Sequence, residues 1–452
     1  MLTEARGQAE VDCPRHNTTS VKLGGLSLRR NFTWTFAGNL IYAACQWAVL
    51  VVIAKMTTPA AVGQFALGLA ITAPILIFAA QGLRDLQATD AHQHFEFRHY
   101  LGYRLVSVTL ALVGIVVLTQ AIHYPAVVIV VGISKALESI SELMYGKYQQ
   151  HERMDWIATS LMLRGVFSVI AVAVLLHATY SIAWGAAGLI VANAGVLIFY
   201  DWRQPGWLFR SPELGDRHTS APKGISGSSH ISFPRTIFRL AMLGLPLGLA
   251  QMLNSFSVNV PRYFLERHAG EASLGIFAAI MYLLVAGRTV IAALAQSCVA
   301  RLARWYANGD DQAFRSLLFK QLLLALGFGA AGIIFSMVCG GPFLRLIYRP
   351  EYAEYTSVLL LTMVISAINY LAEFTGTALT AARSIRVQPI ILGTCVLVGW
   401  VSSAVLVPRY GILGASWGVL LIGVCQLFLY ICALVYTFQR RGLERRRAMS
   451  PA

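Results

Sequence analysis

Six ionisable side chains interrupt long apolar runs in this chain: Lys135, Glu138, Glu142, Arg164, Arg288 and Glu373. Each would cost ~2.5 to 3.5 kcal/mol at the centre of a lipid-facing helix, and all six together roughly 15 to 20 kcal/mol. They are therefore expected to face a wet cavity or one another. Lys135, Glu138, Glu142 and Tyr145 follow i, i+3, i+7, i+10 spacing, which gathers them on one helical face continued by Gln149. Arg164 and Arg288 each sit about eight residues, hence ~12 Å, from one end of their runs. Both could reach a central chamber and hold an anionic group through planar, multi-donor contacts. Glu373 lies mid-run and, with Glu138 and Glu142, is a candidate for ion coupling. The structural alternatives are a Lys135–Glu138 ion pair with Glu142 partnered by Arg164, snorkelling of Arg288, and a neutral Glu373.

Uncharged polar groups form a second set. Asn39 and Gln46 in the first apolar run, and Gln251, Asn254 and Asn259 in the seventh, could hydrogen-bond a hydroxyl-rich cargo or glue helices together at ~1 kcal/mol each. Catalytic signatures do not survive inspection. Gly414-Ala415-Ser416-Trp417-Gly418 matches G-x-S-x-G, but it opens an apolar run rather than following a strand, so small-residue helix packing explains it better. No GKS/T phosphate loop and no HExxH occurs. His92, His94 and His99 read as a solvated loop, and the seven cysteines, with no C-x-x-C pair, read as packing residues. Neither a metal nor a cofactor is expected.

The elements that must position these groups are membrane helices. The chain has 452 residues, is 57% hydrophobic and only 13% charged, with mean hydropathy +0.62. A net charge of +15 without a soluble basic face argues for loops held on one side of a membrane rather than for nucleic acid. About twelve apolar runs are expected, at 31–56, 63–90, 101–122, 124–147, 156–177, 182–201, 240–262, 273–296, 316–339, 355–382, 389–407 and 412–438. The fold class is an all-α polytopic membrane protein with two pseudo-symmetric six-helix lobes. The expected layout is an N-terminal tail (1–30, with an interfacial helix near its end), an N-lobe (31–201), a linker (202–238, rich in Pro, Gly and Ser), a C-lobe (239–438) and a basic tail (439–452). Two echoes support duplication: Val62-Gly63-Gln64-Phe65-Ala66 against Leu274-Gly275-Ile276-Phe277-Ala278, and Tyr180-Ser181-Ile182 with Gly188 against Tyr410-Gly411-Ile412 with Gly418. Lys and Arg concentrate on the side holding both tails and the linker, with Arg262 counted among the few on the other side; that bias places both termini in the cytoplasm. No cleaved leader is visible.

The first helical hairpin carries a family likeness. Gly38-Asn39, Tyr42, Gln46-Trp47, Ala54-Lys55, Val62 to Ala66, Pro74, Leu83-Arg84 and Ala88-Thr89-Asp90 resemble the opening of bacterial Wzx-type polysaccharide flippases. These belong to the superfamily of multidrug, oligosaccharidyl-lipid and polysaccharide exporters (the MATE-like fold). The two-lobed count and the stretch Tyr410 to Ala415 are similar to that superfamily over nearly the whole chain.

The resemblance implies an alternating-access carrier, not an enzyme, in the bacterial inner membrane. Its cargo would be an undecaprenyl-diphosphate-linked oligosaccharide, an O-antigen, capsule or exopolysaccharide repeat unit, passed to the periplasmic leaflet. A polysaccharide polymerase and a chain-length regulator would be partners beside the membrane lipids. Relatives line the cavity with basic residues. Here three cations face three anions, which points to mouth residues such as Arg84 and Arg104 for diphosphate capture, and to the amides above for sugar hydroxyls. A multidrug exporter of the same superfamily is the first alternative, disfavoured because such exporters place an acid in the first span. A membrane glycosyltransferase or polymerase is the second, disfavoured by connections on the outer side of only about 4 to 16 residues.

Overall fold

A computed structural model describes residues 28–90, 95–120, 125–203, 233–384 and 387–449. The tail to residue 27, with most of its expected interfacial helix, the pair His92 and His94, and linker residues 204–232 lie outside them. The regular elements of the described residues are all helical: α1 (Leu28–Met56), α2 (Pro59–Ala80), α3 (Leu83–Thr89), α4 (Phe97–Thr119), α5 (Pro125–Gln150), α6 (Met154–Thr179), α7 (Ile182–Phe199), α8 (Phe233–Met281), α9 (Leu283–Asn308), α10 (Asp311–Ile347), α11 (Thr356–Ala381) and α12 (Gln388–Met449), with 3-10 turns at Asp201–Arg203 and Pro350–Tyr355.

Among the described residues, nine helical stretches are long and apolar enough to cross a membrane. Two of these run over 74 and 54 residues, far more than one crossing needs. Each turns back at a glycine in the left-handed region, Gly270 (φ 77°) in α8 and Gly411 (φ 55°) in α12, a backbone state that costs other residues more. The helix α5, burdened with Lys135, Glu138 and Glu142, is not among the nine, yet it packs between α2, α4 and α7 like the others. Twelve crossings result. Local chemistry fixes other ends: Thr58 caps α2 by accepting from the Ala61 amide, with Pro59 in the first turn, and Gln81 and Gly82, both left-handed, separate α2 from α3.

Two edges differ from the expected layout. The helix α8 already begins at Phe233, inside the expected linker, and α12 continues to Met449 through the expected tail. Helices favour both extensions because no proline or glycine interrupts 235–243 and Arg, Glu, Leu and Ala populate 439–449.

Helices α1 to α7 pack among themselves, as do α8 to α12, and the two groups meet chiefly through α2 against α8. That junction is where the duplicated motif lies. A Cβ added at Gly63 would overlap the Glu271 carbonyl, and one added at Gly275 would overlap the Pro59 carbonyl, so the paired glycines set how closely the lobes approach. Phe65 and Phe277, at matching positions, are buried in the shared core with Val62, Ile53, Leu274 and Ile280. Around it, Gln64 Nε2 donates to Glu271 Oε2 (3.0 Å), and Trp47 Nε1 donates to the Tyr348 hydroxyl (2.9 Å), which itself donates to the Ala279 carbonyl (2.8 Å). Burial pushes the Tyr348 hydroxyl above the ordinary phenol range, which keeps it a donor. All these bonds lie at the end of the bundle opposite the linker, and they close that end.

Candidate functional site

The charged helix face of α5 is partly paired. Lys135 Nζ and Glu138 Oε2 form an ion pair at 2.7 Å, and the Tyr42 hydroxyl of α1 donates to Glu138 Oε1 at 2.7 Å. This is the pairing that the i, i+3 spacing allowed. Glu142 is not partnered by Arg164. It is half-buried without a hydrogen-bond partner among the described residues, and Arg104 and Arg84 are its main cationic influences.

Arg164 does not reach a chamber. It is fully buried (0% exposed) and pairs at 3.4 Å with Asp201, equally buried, while its guanidinium lies 5.8 Å from the centre of the Tyr145 ring. Asp201 sits in the 3-10 turn after α7, at the apparent end of the sixth apolar run, so its position offered no sign of an inward partner. Arg104 likewise departs from the expected mouth position: it is 1% exposed and donates through Nη1 to Ser139 Oγ at 2.7 Å across the α4–α5 contact. Burial of its stem between two packed helices holds it there. Arg84 stays half-buried, donating to Gln149 Oε1 (3.4 Å) and lying over the Tyr145 ring. Asn39 is exposed and donates to the Thr35 carbonyl on its own helix (2.8 Å), and Gln46 is half-buried.

The cavity lies in the other lobe. A space of about 450 Å³ is enclosed by α8, α9, α11 and α12, all of them C-lobe helices. Four expected residues line it: Arg288, Glu373, Gln251 and Asn254. Arg288 Nε and Glu373 Oε2 are 3.3 Å apart, with the two side chains 57% and 27% exposed, so this pair remains open to water and to a ligand. This cavity belongs to the C-lobe; of the N-lobe charges, Arg164 and Arg104 are enclosed by protein, while Lys135 and Glu138 keep 30% and 16% of their side chains exposed.

Arg262 and Asn369 are among the lining residues that the apolar pattern did not mark. Arg262, counted above as a residue of the opposite loop, lies well inside α8, because the helix continues beyond the apolar run to the Gly270 reversal. Its Nη1 donates to Asn259 Oδ1 (3.0 Å), and no carboxylate among the described residues pairs with it. Asn369 joins the wall from α11. A signal existed for the first: Pro261-Arg262 is followed by Tyr263-Phe264-Leu265, an apolar continuation that a tilted helix can bury.

Comparison with known proteins agrees with this architecture. A family profile described as polysaccharide biosynthesis protein matches residues 28–305. A capsular polysaccharide biosynthesis protein of Staphylococcus aureus, CapF, is 26% identical over 420 residues, spanning 91% of this chain and 99% of its own. Among solved structures, the lipid II flippase MurJ in an inward closed conformation superposes with TM-score 0.64 at 10% identity, covering 94% of each chain. A MOP superfamily transporter from Pyrococcus furiosus superposes with TM-score 0.58 at 14% identity, covering 91% of this chain and 95% of its own. With a matching profile across its whole N-lobe and the start of its C-lobe, and a fold shared with flippases and exporters, the chain belongs to the polysaccharide biosynthesis protein family of multi-pass membrane proteins.

Proposed function

We propose that this protein is a flippase for polysaccharide precursors: it carries an undecaprenyl-diphosphate-linked oligosaccharide from the cytoplasmic to the periplasmic leaflet of the bacterial inner membrane, with both termini cytoplasmic. The observation that carries the reading is the C-lobe cavity, where Arg262 has no acid partner and the Arg288–Glu373 pair stays half open. An incoming anionic headgroup can take Arg288 from Glu373 through the same planar donors. Glu373, released, is the group best placed to exchange a proton, with Glu138 and Glu142 of the N-lobe as further coupling candidates. Closure of the lobes at the end opposite the linker corresponds to a state loaded from the cytoplasm, and rocking about the α2–α8 junction would reverse the opening. A membrane polymerase and its chain-length regulator are the expected consumers of the cargo.

The test is a deletion strain. Loss of the gene is expected to strand undecaprenyl-linked repeat units on the inner leaflet and to remove surface glycan. Normal surface glycan and no stranded intermediate, with no second flippase present, would overturn the reading.

A further inference from the structure

Polar amides inside a membrane bundle normally find a protein partner, since an unsatisfied one costs free energy in a dry surrounding. Asn193, in the N-lobe, obeys this rule by donating to both the carbonyl and the hydroxyl of Ser134 (3.1 and 2.8 Å). The cavity wall breaks it. Gln251, Asn254 and Asn369 all line the space, and none of their side-chain amides has a hydrogen-bond partner among the described residues. Three amides from two helices converge on one volume with their bonding capacity unused.

Their depths are ordered. Along α8, Gln251, Asn254 and Arg262 stand at successive heights, ~17 Å from first to last at ~1.5 Å of rise per residue, with Arg262 nearest the Gly270 reversal; along α11, Asn369 lies one turn, ~6 Å, from Glu373. The wall thus presents an open ion pair, amides at successive heights on two helices, and Arg262, bonded to Asn259, at the far end of the α8 row. Each amide offers both a donor and an acceptor. An inorganic anion would use only the donors, and a metal ion only the oxygens. A sugar ring, whose hydroxyls both give and accept, uses both.

We propose that these amides form a glycan seat on the C-lobe wall: with the lipid-linked anionic group at Arg288, the sugars beyond the first extend along Asn254 and Asn369 toward Arg262, with Gln251 at the edge of the seat that meets the N-lobe at Gly82. The proposal rests on the flippase reading and adds that the protein recognises the glycan, not only its lipid carrier. The carrier-linked sugar remains near Arg288, and Asn369 meets a sugar further along the chain.

Two cargoes separate these ideas in proteoliposomes of the purified protein: undecaprenyl diphosphate bearing the complete repeat unit, extracted from producing cells, and undecaprenyl diphosphate bearing one N-acetylhexosamine. Wild-type protein is expected to move both. Asn369→Leu is expected to slow the complete unit at least tenfold and the single-sugar carrier by no more than about twofold, with Asn369→Gln restoring most of the loss. Asn254→Leu provides the same comparison should Asn369→Leu unfold, as read by its thermal transition. Equal loss on both cargoes, or no loss on either, overturns the glycan seat while leaving the flippase reading standing. Failure of the wild type to move either cargo overturns both.

Discussion

The two lobes share a helix plan and treat charge in opposite ways. In the N-lobe, the two fully buried arginines each have a neighbour, Arg164 in Asp201 and Arg104 in Ser139, and the partly exposed Lys135 pairs with Glu138. In the C-lobe, Arg262 has no acid partner among the described residues and Arg288 shares Glu373 with solvent. The N-lobe uses its arginines to join packed helices, and the C-lobe leaves its arginines available. A buried pair is expensive to break, whereas an exposed one contributes little to folding, so the lobes should respond to mutation in different currencies.

The largest contrast is in stability. Asp201→Ala strands the Arg164 guanidinium in a dry interior and is expected to cost about 3 to 5 kcal/mol, while Glu373→Ala should cost less than about 1 kcal/mol. Thermal unfolding in detergent compares the two. Replacing both members of the N-lobe pair, Arg164→Met with Asp201→Leu, should recover most of the loss; a double variant as unstable as Asp201→Ala alone would argue for a role beyond mutual neutralisation.

Function should show the reverse order. Arg288→Ala and Arg262→Ala are each expected to lower translocation about tenfold or more with little change in melting temperature, because neither anchors a packed network. Normal initial rates of lipid-linked oligosaccharide export from these variants would place recognition elsewhere.

The lobe junction offers a smaller and symmetric effect. Gly63→Ala and Gly275→Ala each push a methyl into the opposite backbone, and each is expected to cost about 1 to 3 kcal/mol, in line with overpacking. Similar losses for both would support a pseudo-twofold junction, and a large loss at one with none at the other would not. Smallest of all, Gln64→Ala and Trp47→Phe remove single hydrogen bonds at the closed end, worth about 0.5 to 1.5 kcal/mol each. Thermal unfolding in detergent, each variant against the wild type, measures both losses.

Much of the fold was legible because membrane crossings need long apolar runs, and because Gly63 and Gly275 sit in copies of one motif. Helical spacing allowed the ion pair Lys135–Glu138, and Arg288, Glu373, Gln251 and Asn254, conspicuous as polar residues in apolar runs, line one C-lobe cavity. What escaped depended on tertiary geometry. A helix period says which side chains share a face, not which neighbour that face meets, so the partner of Arg164 was sought in Glu142 rather than in Asp201, beyond the end of α7. The apolar run of α8 stops short of its helix, which hid Arg262 in a loop. Nor does any linear pattern reveal that α4 and α5 pack closely enough to enclose Arg104.

The central claim is that cargo is held by the C-lobe and that the buried N-lobe arginines, Arg104 and Arg164, are structural. Site-specific photo-crosslinking in cells tests it most directly, with a photoreactive residue replacing either Asn369 in the cavity wall or Ser139 on the packed α4–α5 face, and the captured lipid-linked glycan identified by mass spectrometry. The account predicts an adduct from position 369 and none from position 139. Capture at 139 with none at 369 would contradict it.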